Sequence, residues 1–187
     1  MKSGAAKHNT IEAERIIAAQ CGDRNAFTEL VHQYREGVVT MVYRMVGDIH
    51  LAEDAAQDTF LRAWINLSKY KPSAPFRNWL YRIAYNRTLD LLRQAKEEDS
   101  LDSIPLASKD ITPEVNAIQA ERVQQIQKSI LELPSASRIV LVLREYQGLS
   151  YQEIAAVLNI PIGTVMSRLS YARNKLIDTL QAHLEDV

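Results

Sequence analysis

Apolar positions recur along this chain at spacings of three and four, and no stretch of strict alternation is sustained enough for a strand, so the pattern predicts an all-α protein. A first helix is expected over Ile11–Gln20, closed by Gly22. Asp23 is placed to cap a second from about Arg24 to Val46, with Gly37 as a candidate bend or break and Gly47 at its end. Asp48 caps a third that reaches about Leu67, in which Ala56, Phe60, Ala63, Trp64 and Leu67 share one face. The segment KPSAP (71–75) stops it. A fourth helix is expected from about Phe76 to Gln94, with Phe76, Trp79, Leu80, Ile83 and Ala84 as its buried stripe.

From Lys96 to Ile111 the period disappears and the residues turn acidic and polar, which predicts a flexible linker over 96–112 between a domain at 1–95 and another at 113–187. Thr112 as N-cap and Pro113 at the first helical position begin a helix to about Leu133. Ser135–Gln147 forms the next, ended by Gly148, and Ser150 to Glu153 has the spacing of a capping box. The expected fold is therefore two small helical domains joined by an acidic linker.

Composition narrows the functional classes. With 187 residues, 47% of them hydrophobic and 24% charged, the chain has enough apolar mass for a core and too much for wholesale disorder. Six Gly and six Pro are too few for a sandwich or barrel of many short strands. The lone Cys21 leaves no intramolecular disulfide and no thiolate zinc site, which points to a reducing, cytoplasmic home. No apolar run approaches a membrane span, so no membrane insertion is expected. His8, His32, His50 and His183 lack ligand spacing and no glycine-rich phosphate loop occurs, so no catalytic residue, metal or cofactor is expected.

The net charge of −1 conceals opposite blocks. Between Lys69 and Lys96 seven bases stand against Asp90 alone, between Glu97 and Glu121 seven acids stand against Lys109 alone, and from Ile162 to Ile177 Arg168, Arg173 and Lys175 meet no acid. Two basic blocks around an acidic one suggest two nucleic-acid contacts separated by a segment that repels phosphate.

The most specific local pattern is SYQEIAAVLNIPIGTVMSRLSYARNKL, from Ser150 to Leu176, which reads as a helix-turn-helix. Ile154 and Leu158 bury its first helix, Ala155 is small at the crossing, Asn159 suits a left-handed turn, and Ile160, Val165 and Leu169 complete a small core. Outside that core the second helix offers Thr164, Met166, Ser167, Arg168, Ser170, Tyr171 and Arg173 to phosphates and base edges.

Taken with LAEDAAQDTFLRAW (51–64), FRNWLYRIAYN (76–86) and LPSASRIVLVLREYQGLSYQEIAAVLNIPIGTV (133–165), in that order, the chain from about Cys21 to Lys175 resembles the extracytoplasmic-function sigma factors of bacterial RNA polymerase. The resemblance implies a protein that binds core RNA polymerase, recognises the −35 promoter element with the helix-turn-helix, and recognises and melts the −10 element with the first domain. It also implies an anti-sigma protein as a partner. The recognition helix departs from many relatives, which carry bases where Met166 and Tyr171 stand here. The −35 sequence is therefore not transferable from a relative, and apolar contact with thymine methyls gains weight.

On the third helix Asp54, Gln57, Asp58, Leu61 and Ile65 fall away from the apolar stripe, and by resemblance this face docks on the polymerase. Acidic groups rimming exposed apolar side chains suit a basic helix. The loop 68–75 and the fourth helix interleave Tyr70, Lys71, Arg77, Arg82, Tyr85, Asn86 and Arg87, a mixture that can stack on unpaired bases and hold their phosphates. By resemblance the loop captures a flipped −10 base, with Tyr70 and Lys71 as candidates and Asn86 reading the same strand. Trp79 is expected in the core, and Tyr81 and Tyr85 suit either a base contact or packing between helices. The competing reading is a LuxR-type helix-turn-helix regulator, which gives no reason for an acidic docking helix beside a basic aromatic one.

Overall fold

Helix boundaries follow local capping chemistry. The Asp23 carboxylate accepts hydrogen bonds from the amides of Asn25 (2.8 Å) and Ala26 (3.1 Å), and Asp48 accepts one from the Leu51 amide (2.9 Å), so two otherwise unpaired helix starts are satisfied. The structure, a computed structural model, describes residues 3–99 and 117–185. These form eight α-helices and no strand among the described residues: α1 Ser3–Gln20, α2 Arg24–Val46, α3 Ile49–Asn66, α4 Phe76–Asp99, α5 Ala117–Glu132, α6 Ser135–Glu145, α7 Tyr151–Leu158 and α8 Ile162–Glu185. A 3-10 turn, Leu67–Lys69, follows α3.

The all-α expectation holds, with two boundary corrections. Helix α1 begins at Ser3 rather than Ile11, and α4 continues to Asp99 through the start of the expected linker. The rest of that linker, and the expected cap at Thr112 and Pro113, lie outside the described residues. In the first lobe α2 packs on α1, α3 and α4 around Leu30, Val38, Met41, Val42 and Met45, and α3 contributes Ala56, Phe60 and Ala63 as its pattern predicted. In the second, α6 is the central helix, with Ile139, Val140, Val142 and Leu143 buried against α8 and α7.

Helix α2 runs unbroken through Gly37. A Cβ there would stand 2.6 Å from the Tyr81 hydroxyl and 3.0 Å from Gln147 Oε1, so the glycine makes room for two side chains from other helices. Gly47 meets the expectation of a helix end, with φ of +83°, and is doubly constrained because a Cβ would also meet Leu131 Cδ1 at 2.6 Å.

That last contact belongs to a feature the sequence did not announce: the two lobes pack against each other. Helix α2 meets α5 and α6, and α4 lies along α7. Arg44 donates to Gln127 Oε1 (2.6 Å) and stacks over the Tyr146 ring (4.5 Å), while Arg138 donates to the carbonyls of Met45, Leu131 and Leu133.

Candidate functional site

Helix α3 divides cleanly into two faces. Ala52, Ala55, Ala56, Thr59, Phe60 and Ala63 are buried, whereas Asp54, Gln57, Leu61 and Ile65 are exposed, with Leu61 58% and Ile65 65% accessible. Two large aliphatic side chains left this open beside a carboxylate form the apolar strip with an acidic rim read from the sequence. Asp58 stands apart from the other four. It is half-buried at the edge of the strip, accepting from Arg62 (3.0 Å) and pairing with Arg87 of α4 (2.9 Å), so it joins two helices of its own lobe.

The loop after α3 holds one correction. Tyr70, expected to stack on a base, is only 7% exposed; its ring packs against Phe76 and Trp79 at centroid distances of 5.4 and 5.3 Å, and its hydroxyl donates to the Ala74 carbonyl (2.8 Å). A ring enclosed by two others has no free face for a base, so Tyr70 shapes the loop from within. Trp79 packs with this cluster, as expected, and Lys71 is exposed at the loop surface.

On α4 the expected residues separate into two groups. Asn86 is exposed. Arg77, Tyr81 and Tyr85, four residues apart, run along the flank that meets the second lobe. Arg77 donates to Glu153 of α7 at 2.6 Å, and Arg82 donates to the Val157 carbonyl (3.2 Å) and the Ala156 carbonyl. The last carbonyls of a helix carry its negative dipole end, so a guanidinium is favoured there. Tyr81 is buried, its hydroxyl pushed up to about 12 by that burial against the opposing charge of Arg77, and it donates to Gln147 Oε1 (2.5 Å). Burial raises the Tyr85 hydroxyl as well, opposed by Arg168 of α8 and by Arg93. One carboxylate and a helix end of the second lobe thus occupy Arg77 and Arg82, two of the groups expected to meet a DNA strand, and one amide occupies Tyr81 beside them.

The helix-turn-helix forms as its sequence dictates. Asn159 sits at φ 53°, ψ 51°, the left-handed conformation that a short polar side chain tolerates, and Val165, Leu169 and Ala172 bury the inner face of α8. Val157 is buried more deeply than Leu158, because α7 must also face α4. Outward on α8 stand Met166 (54% exposed), Ser167, Ser170 and Tyr171 (50% exposed), with Thr164 and Arg168 half-buried. Arg173 is exposed but engaged, donating to Glu145 Oε1 at 2.6 Å.

Glu153 does two jobs. Its Oε2 accepts from the Ser150 amide (2.9 Å) and hydroxyl (2.8 Å), closing the capping box, while its Oε1 takes the Arg77 bond. Partial burial alone would raise this carboxyl, but Arg77 and the two Ser150 donors hold it down at about 2. A carboxyl depressed in the folded state stabilises it fully above the unfolded value and loses that contribution as pH falls through the folded one. In thermal melts followed by circular dichroism, Glu153→Gln is expected to melt below the parent at neutral pH, with the gap narrowing between about pH 5 and about pH 2. A gap that stays constant across that range would refute the double role.

Sequence reasoning missed Gln147, whose Oε1 accepts from Tyr81 and whose Nε2 donates to the Gly37 carbonyl (3.1 Å), and Gln20, whose Nε2 donates to the carbonyls of Leu67 (3.0 Å) and Tyr70 (2.9 Å). A glutamine at a helix end gives no periodic signal, and only its distant neighbours reveal its role. Among the described residues no group of three or more His, Cys, Asp or Glu is placed to hold a metal ion, and no helix is long and apolar enough to cross a membrane.

Comparison with known proteins matches residues 30–98 to the Sigma-70 region 2 family and residues 123–176 to Sigma-70 region 4. The chain is 37% identical over 174 residues to the ECF RNA polymerase sigma factor SigW of Bacillus subtilis, covering 87% of this chain and 93% of that protein. It is 35% identical over 186 residues to the RNA polymerase sigma-H factor of Pseudomonas aeruginosa, covering 94% and 96%. Among solved structures it resembles CnrH in complex with the cytosolic domain of CnrY (TM-score 0.73, 27% identity, 92% of this chain and 98% of that one). It also resembles the sigma factor RpoE in complex with the anti-sigma factor NepR from Bartonella quintana (TM-score 0.71, 25% identity, 83% and 96%).

Proposed function

Because the chain belongs to the extracytoplasmic-function sigma factors of bacterial RNA polymerase, we propose a division of labour in which α3 docks on core polymerase, the 70–75 loop and α4 take the −10 strand, and α8 reads the −35 duplex. The observation that carries the docking assignment is the outer face of α3, where Leu61 and Ile65 stand open beside Asp54 and Gln57. Such a strip suits a basic amphipathic helix, with apolar contact for affinity and the acidic rim for orientation. Asp58 serves this face indirectly, by fixing α3 against Arg87.

Lys71 and Asn86 are available to the −10 strand in the conformation seen here, whereas Arg77, Arg82 and Tyr85 become available once α7 and α8 withdraw. Tyr70 supports the loop. On the −35 side Met166, Ser167, Ser170 and Tyr171 face outward together, and Thr164, Arg168 and Arg173 flank them with groups suited to phosphates. The likeness to sigma factors solved with anti-sigma chains supports an anti-sigma protein as the regulator, acting in the cytoplasm, where the polymerase works.

The direct test mixes the full chain with core polymerase. Co-elution from gel filtration and transcription that depends on a promoter are expected; DNA binding without polymerase retention would instead indicate a LuxR-type regulator.

A further inference from the structure

The loop between α3 and α4 has few bonds of its own. Pro72 and Pro75 have no amide hydrogen to donate, and residues 71–75 are exposed. Inside the loop, the Ser73 amide donates to the Lys71 carbonyl (2.8 Å) and Tyr70 ties Ala74 from below. Its start is held from outside: the Gln20 side-chain amide, on the last residue of α1, bridges the carbonyls of Leu67 and Tyr70, where the 3-10 turn ends and the loop begins.

Helix α1 is a firm base for that bridge. Ile16 and Ala19 are buried in the lobe, Tyr34 of α2 donates to Glu12, and Arg15 pairs with Glu29 (3.4 Å). Between α1 and the loop lies a groove of about 440 Å³, with Glu12, Ile16 and Ile17 on one wall and Ser73, Pro75 and Phe76 on the other. Its width depends on where the loop starts, and Gln20 sets that start.

We propose that Gln20 is a positioning residue for −10 strand capture, its amide holding the loop at the distance from α1 at which the loop can receive an unpaired base. The inference rests on the reading of this loop as a −10 contact. Gln20 is itself exposed, so replacing it removes no core packing. The fold therefore keeps its core while the loop loses its fixed position.

The test compares holoenzymes carrying Gln20→Met, which keeps the chain length without a donor, and Gln20→Lys, which restores a donor. Permanganate reactivity of unpaired thymines reads promoter opening; core polymerase affinity, −35 duplex affinity and the melting temperature are measured alongside. Two part-buried hydrogen bonds correspond to a loss of roughly five- to 150-fold in the opening equilibrium for Gln20→Met. Core affinity and −35 affinity should match the parent, both variants should stay folded at the assay temperature, and Gln20→Lys should recover most of the opening. Opening by Gln20→Met equal to the parent's, equal impairment of the Met and Lys variants, or a parallel fall in core affinity or unfolding at the assay temperature would each overturn the role. A parent holoenzyme that opens no promoter, or a Lys71→Ala, Asn86→Ala variant that opens it like the parent, would instead overturn the reading of the loop.

Discussion

Asp54→Lys combined with Leu61→Ala is expected to abolish co-elution with core polymerase while leaving helical circular dichroism intact. Both side chains lie on the exposed face of α3, seven residues and therefore two turns apart, and neither belongs to the core of the lobe. Exposed substitutions of this kind usually change stability by no more than about 0.5 kcal/mol. At an interface the same changes weigh more, since a lost apolar anchor costs about 2 kcal/mol and a like charge facing a basic helix costs a similar amount or more. Together they correspond to a roughly thousandfold weaker complex. Asp58 is deliberately left alone: a lysine there would face Arg62 and Arg87 and loosen α3 from α4, mixing a folding defect with a docking defect. Parent-like affinity for core polymerase in the double variant would place the docking surface elsewhere.

The second large effect concerns the contact between the lobes. Arg77 and Arg82 cannot serve the −10 strand while α7 holds them, so the apparent affinity of the free protein for that strand is reduced by the fraction of molecules whose lobes have parted. Glu153→Gln with Gln147→Ala removes the charged bond to Arg77 and the amide bridge to Tyr81 and Gly37, and touches no proposed DNA contact. Gln at the third position of α7 can still close the capping box. A charged hydrogen bond is worth about 1.5–3 kcal/mol and a neutral one about 1 kcal/mol, together about 2.5–4 kcal/mol, so binding of a −10 single strand to the free protein should tighten on the order of a hundred- to a thousandfold. The radius of gyration in small-angle X-ray scattering should increase with it. Unchanged radius and unchanged strand affinity would show that the packing of the lobes does not limit access to α4.

The sequence by itself determined whatever depends on neighbours close along the chain. The caps at Asp23, Asp48 and Ser150, the left-handed Asn159 and the apolar stripes of α3 and α4 need at most a few turns of helix to be defined, so period and side-chain chemistry were sufficient. The outer strip at Asp54, Gln57, Leu61 and Ile65 was legible for the same reason: it is what remains of α3 once the buried stripe is assigned. Tertiary structure alone decided matters in which a residue answers to one far away. Tyr70 has the composition of a stacking residue, yet Phe76 and Trp79 fold over it and spend its ring on the core. Gly37 reads as a helix breaker, yet the Tyr81 hydroxyl and Gln147 require the space that a side chain would fill. Glu153 reads as a cap, and only the packing of α7 on α4 gives its second oxygen to Arg77, 76 residues earlier in the chain. Hydrophobic periodicity specifies which face of a helix is buried but not against what, because any apolar surface satisfies it. The choice of neighbour rests on shape and on a few directional bonds, which exist only when the whole chain is folded.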